Sequence, residues 1–356
     1  MLKVKEVNMK AAVLYEINEP LVIEEVEVPK PDFGQVLVKV FASGLCHTQV
    51  DNVRGKYGKD SYLPHLLGHE GAGIVESVGP GVTHVSPGDH VILSWIKGAG
   101  INAQPPKYHK GKKVINAGFV TTFNEYTLAS ENRVTKIRDD MPFDKASLIG
   151  CAVSTGLGAV FNESKVIPGS TVAIFGIGGI GLNILQGAAL VNTLKIIAVD
   201  IYVHKLDIAR QFGATHVINA KKKDPVKEIM KITDGKGVEY AFESAGQKVS
   251  MEQAYQSASN TGLVNLVGNP PYNQKICIDA VQTHYGKRLR GGHGGNVHPE
   301  IDFARYIDLY MAKKLKLDEL ITHRYSLEKI NDAINDLEKG TVGRAVIEFN
   351  HSKDVK

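Results

Sequence analysis

The stretch that most constrains this chain is 171–200, TVAIFGIGGIGLNILQGAALVNTLKIIAVD. Thr171 to Phe175 is a short β-branched, apolar run, the pattern of a strand buried on both faces. Gly176, Gly178 and Gly181 then complete G-x-G-x-x-G, with Gly179 and Ile180 inside it. The first glycine permits a tight turn, the second lets backbone approach a pyrophosphate, and the third lets a helix pack on the strand. Ile180, Ile184, Leu185 and Ala188 recur at helical spacing, so a helix N-terminus would point its N–H groups at the phosphates. A second apolar run, Lys195 to Val199, ends at Asp200, nineteen residues after Gly181. A carboxylate there accepts from both ribose hydroxyls and repels a 2′-phosphate, which favours NAD over NADP. A lone glycine fingerprint also describes a surface loop. Here strand, helix and acid all stand at the required distances, and together they predict dinucleotide binding.

The length of 356 residues suggests about two domains. With 43% hydrophobic and 22% charged residues, the composition is that of an ordinary globular protein with a large core. The net charge of +4 is too small to argue for nucleic acid, and the lysine runs 110–113 and 221–223 read as solvated loops. No run of 18 apolar residues occurs and MLKVKEVNMK has no apolar signal core, so neither a membrane partner nor export is expected. The three cysteines are too few and too scattered for a disulfide framework, which fits the cytoplasm.

From Met9 to Val28 and from Gln35 to Ala42, β-branched runs are punctuated by Pro20, Pro29, Pro31 and Gly34, predicting a β-rich opening domain. After Asp200, Val217–Asn219, Tyr240–Phe242, Leu263–Val267 and Ile276–Ile278 read as short strands. Helical patterns such as Lys205–Phe212 separate the earlier ones, which is βαβ alternation. Towards the end, Phe303, Ile307 and Tyr310, then Ile330, Ala333, Ile334 and Leu337, keep helical spacing. Ser326 is the expected N-cap of the second helix and Gly340 its stop.

Several motifs stand in a fixed order: G-L-C-H-T at Gly44–Thr48, G-H-E-G-A-G-I-V-E-x-V-G at Gly68–Gly79, P-G-D-H-V at Pro87–Val91, and G-C-A-V-S-T-G-L-G-A-V at Gly150–Val160. With the nucleotide fingerprint they resemble the zinc-dependent medium-chain alcohol dehydrogenases over nearly the whole chain, most closely the alcohol and glutathione-dependent formaldehyde dehydrogenase branch. The resemblance implies an α/β protein with a GroES-like β-barrel catalytic domain, residues 1–152 and 295–356, and a doubly wound parallel Rossmann domain, residues 153–294. It implies one catalytic zinc held by Cys46, His69 and Cys151. The donor types suit zinc, but the ligands are too far apart in sequence for spacing to have found them. Without the motifs, all three would read as ordinary core residues. Glu70 resembles the glutamate behind that metal. The segment Ser94–Gly118, where many relatives hold a second, structural zinc with four cysteines, has none. Cys277, in K-I-C-I-D, reads as strand core.

The implied reaction is hydride transfer between a zinc-bound alcohol or aldehyde, primary by preference, and nicotinamide C4 of NAD(H). Thr48 matches the hydroxyl that passes the alcohol proton on. The histidine that often ends this relay is replaced by Asp51, and the aspartate that orients the ligating histidine is replaced by Gln49. His47 resembles the pyrophosphate contact, Lys205 the adenosine-ribose lysine, Arg344 the arginine reaching the phosphates, and Thr155 the residue beside the nicotinamide; Val267 is expected to contact the cofactor. The glycines around His293, in 291–295, are expected to let backbone pass near that ring. Trp95 and Tyr57 are the expected substrate-pocket walls. A homo-oligomer, dimer or tetramer, is implied through the Rossmann sheet edge. Polyol or threonine dehydrogenase activity and a glutathione-adduct substrate stay open. So do a metal-free, quinone-reductase-like enzyme, against which Cys46, Cys151 and G-H-E argue, and a cofactor-binding protein without turnover.

Overall fold

A computed structural model describes residues 7–351. The chain forms two compact units: one comprises the chain up to Cys151, His298–Met311 and the chain from Leu317 onward; the other comprises Ala152–Val297 and Ala312–Lys316. Ala312–Lys316 joins the second unit through paired contacts. The Lys316 N–H donates to Gln186 Oε1 at 2.7 Å, and Gln186 Nε2 donates to the Lys316 carbonyl at 3.2 Å.

The first unit is the β-rich one. The strands Val7–Leu14, Val22–Val28, Lys107–Lys110, Lys113–Asn116 and His65–Leu66 close into a barrel. A seven-stranded sheet is built around Gln35–Leu45, which pairs with Glu70–Val78, Tyr126–Ser130 and the late strand Ala345–Glu348. The proline and glycine punctuation of the opening sequence thus marks strand ends. Gln35–Leu45 is an almost continuously buried strand because neighbours pair on both its edges and apolar side chains fill both its faces.

The second unit carries the βαβ alternation. Its six-stranded sheet is wholly parallel, in the order His216–Asn219, Lys195–Asp200, Thr171–Phe175, Val238–Glu243, Ala258–Leu266, Arg288–Gly291. Chain order reverses between Thr171–Phe175 and Val238–Glu243, the switch point beyond whose carboxyl ends such sheets bind ligands. Phe175, Ile197, Val199, Ala241 and Val264 fill the apolar centre of this sheet.

Two local expectations fail. Ile276–Ile278 forms no strand, and Cys277 is exposed. The final strand is instead Arg288–Gly291, whose alternating arginines hid it from an apolar pattern. Ser326 precedes a 3₁₀ turn, Leu327–Lys329, and makes no side-chain capping bond, so the helix Ile330–Glu338 starts later and without its expected cap. Gly340 does end that helix, at a φ of 72° that glycine tolerates without strain.

Candidate active site

Cys46 follows the strand Gln35–Leu45 and precedes the helix His47–Val53. His69 lies between the strands His65–Leu66 and Glu70–Val78. Cys151 sits in a wide helical turn, Ile149–Val153, of the i→i+5 type that often marks functional positions. These elements bring together what the sequence separates. One ligand atom from each of Cys46, His69 and Cys151 lies within 4.8 Å of the others.

The donor set can be tested against zinc. Bonds of about 2.0–2.3 Å at tetrahedral angles need donors about 3.5–3.8 Å apart, so only slight contraction is required. His69 Nε2 is buried with no hydrogen-bond partner, the state of a nitrogen built to ligate. The Cys46 thiol is held well below the usual range, chiefly by its hydrogen bond with Cys151. Smaller contributions from the neighbouring His69 and Arg344 add to this against the opposing cost of burial. A thiolate is the form that binds metal. The residues fit the ion.

Behind the ligands lies Glu70, fully buried. Its Oε1 is paired with Arg344 Nη2, while its Oε2 is buried with no partner. Two glycines make room for it. A Cβ on Gly44 would stand 2.7 Å from Glu70 Cδ and Oε1, and one on Gly150 would stand 2.4 Å from the Leu93 carbonyl and 3.2 Å from Glu70 Cβ. The glycine of G-L-C-H-T is therefore required by the Glu70 carboxylate, and that of G-C-A-V chiefly by the Leu93 carbonyl. Ser94 Oγ donates to the Gly150 carbonyl at 2.6 Å and so fixes the approach to Cys151; nothing in the local sequence marked it.

The Arg344 guanidinium faces inward: Nη1 donates to the Leu45 carbonyl at 3.0 Å and Nη2 to Glu70, while Nε has no partner. Its side chain is 6% exposed. A buried carboxylate at Glu70 demands a cation, and Arg344 is the one that answers. Burial lowers the guanidinium from its ordinary value, yet a group that starts so high stays charged.

Thr48 Oγ1 lies 3.7 Å from Cys46 Sγ, beside the metal ligands. Asp51 is committed elsewhere: its Oδ2 accepts from Lys56 Nζ at 2.9 Å and from the Tyr57 hydroxyl at 3.2 Å. Tyr57 is thereby tied to Asp51. His47 is exposed at the first position of its helix. The Trp95 N–H donates to the His69 carbonyl at 2.9 Å, which places that indole's backbone directly beside a ligand, and its carbonyl accepts from Arg133. Gln49 contacts His69 Nδ1.

In the second unit the glycine turn has the expected form. Gly176 has a φ of 92°, and a Cβ on Gly181 would come within 1.9 Å of the Gly176 carbonyl. A Cβ on Gly178 would meet nothing within 4 Å, so this glycine leaves backbone open to a ligand. The helix Gly179–Leu190, with Ile180 in its first turn, has no side chain capping its N-terminus. Asp200 is anchored at both oxygens, Oδ2 by the Ile177 N–H at 2.8 Å and Oδ1 by the Tyr202 N–H at 2.9 Å, and each oxygen keeps a lone pair for a ribose hydroxyl. Lys205 is half-buried, its Nζ 5.1 Å from the centre of the Tyr202 ring. Thr155 Oγ1 is buried without a partner. The half-buried Val267 is hung by its N–H from the Glu243 carbonyl at 2.7 Å. His293 is held through its backbone: its N–H donates to the buried carboxylate of Glu163 at 2.9 Å, and the same carboxylate accepts from Asn265 Nδ2 at 2.8 Å. Sequence reading missed Glu163, whose partners lie more than a hundred residues away.

A GroES-like barrel unit with a Cys–His–Cys centre, and a parallel sheet with an uncapped glycine turn, define a zinc-binding dehydrogenase. Residues 32–139 match the alcohol dehydrogenase GroES-like domain and residues 179–312 the zinc-binding dehydrogenase model. The chain belongs to the zinc-dependent medium-chain alcohol dehydrogenase family and is an oxidoreductase acting on alcohols. It is 38% identical to the class-3 alcohol dehydrogenase of Zea mays, over 96% of this chain and 97% of that protein. Among solved structures, benzyl alcohol dehydrogenase from Acinetobacter calcoaceticus superposes with a TM-score of 0.89 at 32% identity, covering 97% of this chain and 100% of that one. An alcohol dehydrogenase zinc-binding domain protein from Burkholderia ambifaria reaches 0.91 at 31% identity, covering 98% and 100%. Among the described residues no helix is long and apolar enough to cross a membrane.

Proposed function

We propose that this chain interconverts primary alcohols and aldehydes with NAD(H), using one zinc per polypeptide at Cys46, His69 and Cys151. The observation that carries the reading is the Cys–His–Cys cluster, with both cysteines buried and His69 Nε2 buried without a partner. Bound zinc supplies Lewis acidity, which acidifies an alcohol hydroxyl or polarises a carbonyl. The remaining work falls to side chains. Thr48, next to Cys46, takes the hydroxyl proton and passes it outward, to water or to Asp51 on the same helix, whose Oδ2 is already held by Lys56 and Tyr57. Glu70, whose Oε2 has no partner, would tune a bound metal. Trp95 narrows the substrate space next to His69, which disfavours branching at the carbinol carbon, and Tyr57 adds a second wall.

For the cofactor we assign Gly176, Gly178, Gly179, Ile180, Gly181 and His47 to the pyrophosphate, Asp200 and Lys205 to the adenosine ribose, and Thr155 and Val267 to the nicotinamide. The Asp200 carboxylate supports NAD over NADP. Arg344, which gives N–H groups to Leu45 and Glu70 and keeps its Nε without a partner, is assigned to the phosphates as a further contact. We take residues 1–152 and 295–356 as the catalytic domain and 153–294 as the nucleotide domain, in a cytoplasmic homo-oligomer.

The test is zinc per polypeptide on protein purified without chelator, alongside NAD-linked oxidation of a series of primary alcohols. One zinc is expected, and Cys46→Ala should lose both the metal and about 10³-fold in kcat/KM. Turnover that survives exhaustive metal removal would favour the quinone-reductase-like reading instead.

A further inference from the structure

Gln49 is 4% exposed, and both ends of its amide are occupied. Oε1 accepts the Gly68 N–H at 2.8 Å, and Nε2 lies 2.5 Å from His69 Nδ1. An amide nitrogen only donates, so the facing Nδ1 must accept. A neutral imidazole that accepts at Nδ1 carries its proton on Nε2. That is the orphaned nitrogen aimed at Cys46 and Cys151, and a protonated nitrogen has no lone pair for a metal.

Turning the amide over does not resolve the conflict. It would give Nδ1–H an acceptor and free Nε2 for the metal, but would set the amide NH₂ against the Gly68 N–H, donor to donor. Gly68 cannot turn away. The carbonyl before it, that of Leu67, accepts from the Thr122 and Phe123 N–H groups at 3.0 and 3.1 Å. With both neighbours donors in the metal-bound state, the site asks for two acceptors. A carboxylate has two; a carboxamide has one.

We propose that Gln49 is a positioning residue that sets metal-free His69 to the tautomer that cannot ligate, so that zinc loading reverses the amide and strands the Gly68 N–H. This rests on the assignment of His69 as a zinc ligand. The consequence is a zinc site weaker than its three ligands would otherwise give. Gln49→Glu keeps the side chain's length and replaces the donor with an acceptor, and it should tighten zinc by about 10–100-fold, the size of effect that groups holding a ligating histidine produce. Gln49→Ala supplies no acceptor and should not tighten it.

The experiment titrates metal-free wild-type, Gln49→Glu and Gln49→Ala proteins with zinc against a chromogenic chelator. Histidine ¹⁵N spectra of the metal-free proteins are recorded in parallel, with the His69 signals identified by their loss in His69→Asn. The expected result is tighter zinc in Gln49→Glu only, with His69 protonated at Nε2 in wild type and at Nδ1 in Gln49→Glu. An added negative charge alone would tighten zinc without moving the wild-type proton from Nδ1, so a wild-type His69 already protonated at Nδ1 overturns the proposal. Equal affinities in wild type and Gln49→Glu overturn it as well, while leaving the zinc reading intact. Zinc bound by none of the three proteins would defeat both.

Discussion

Two glutamates in the first unit are buried to almost the same degree and are used in opposite ways. Glu131 is 1% exposed, and both its oxygens are taken by backbone: Oε1 by the N–H groups of Thr83 and His84 at 2.7 and 3.0 Å, Oε2 by that of Ile101 at 2.7 Å. Glu70 is held by one guanidinium on one oxygen and keeps the other without a partner. Glu131 gathers the lobe that lacks the four cysteines; around it Ser130 Oγ donates to the Ile101 carbonyl and accepts from the Ala103 N–H, and Asn132 Nδ2 donates to Asn102. A carboxylate whose hydrogen-bonding capacity is used up on backbone is a staple. One that keeps an oxygen uncommitted beside a Cys–His–Cys cluster is available to chemistry.

The largest effect should come from breaking the two anchors separately. Glu70→Ala leaves the Arg344 charge buried and uncompensated, a loss of about 3–5 kcal/mol, and should also depress hydride transfer. Glu131→Ala takes the acceptor from the N–H groups of half-buried Ile101 and of exposed Thr83 and His84, which water can partly serve, so about 1–3 kcal/mol in all, with zinc remaining at one per chain. Denaturant midpoints combined with metal analysis separate the two. Loss of zinc from Glu131→Ala, or full activity in Glu70→Ala, would erase the distinction drawn between them.

Acid should act on the staple more gently. Burial pushes the Glu131 carboxyl up, but the N–H groups of Ile101, Thr83 and His84 outweigh it and hold the acid below its ordinary 4.5. A folded-state value below the unfolded one means the unfolded chain binds the proton more readily. The stabilisation is therefore whole above about pH 4.5 and is lost as pH falls through the folded value. Stability of the wild type should fall over that window, and Glu131→Gln should flatten part of the fall. An unchanged slope would mean Glu131 is not the lobe's acid-sensitive contact.

What the sequence made legible follows from where the partners lie. The glycine turn is local: Gly176, Gly178, Gly181 and Asp200 sit on one strand–helix–strand unit, and residue spacing alone locates each of them. The metal cluster is not local, and only motif resemblance joined Cys46 to His69 and Cys151. Contacts between distant segments were out of reach of both. Nothing near Glu131 in sequence shows that it binds Thr83 and Ile101, and nothing near Arg344 shows that its guanidinium must neutralise Glu70. Cys277 misled because an apolar pair around a cysteine describes strand core, while the chain there is irregular and exposed.

The smallest effect should come from Asp51, and it sharpens the contrast between committed and uncommitted carboxylates within one site. A positioned proton acceptor contributes about 10²–10⁴-fold. Asp51 meets that description poorly, since its Oδ2 already accepts from Lys56 Nζ and the Tyr57 hydroxyl, and it is accessible enough for water to stand in for it. Asp51→Asn should therefore lower kcat by no more than about 10-fold, and added buffer base should recover part of that loss by taking the proton that Thr48 releases. A loss beyond about 100-fold, unresponsive to buffer, would place Asp51 with Glu70 among the working carboxylates and make its ties to Lys56 and Tyr57 a means of aiming it.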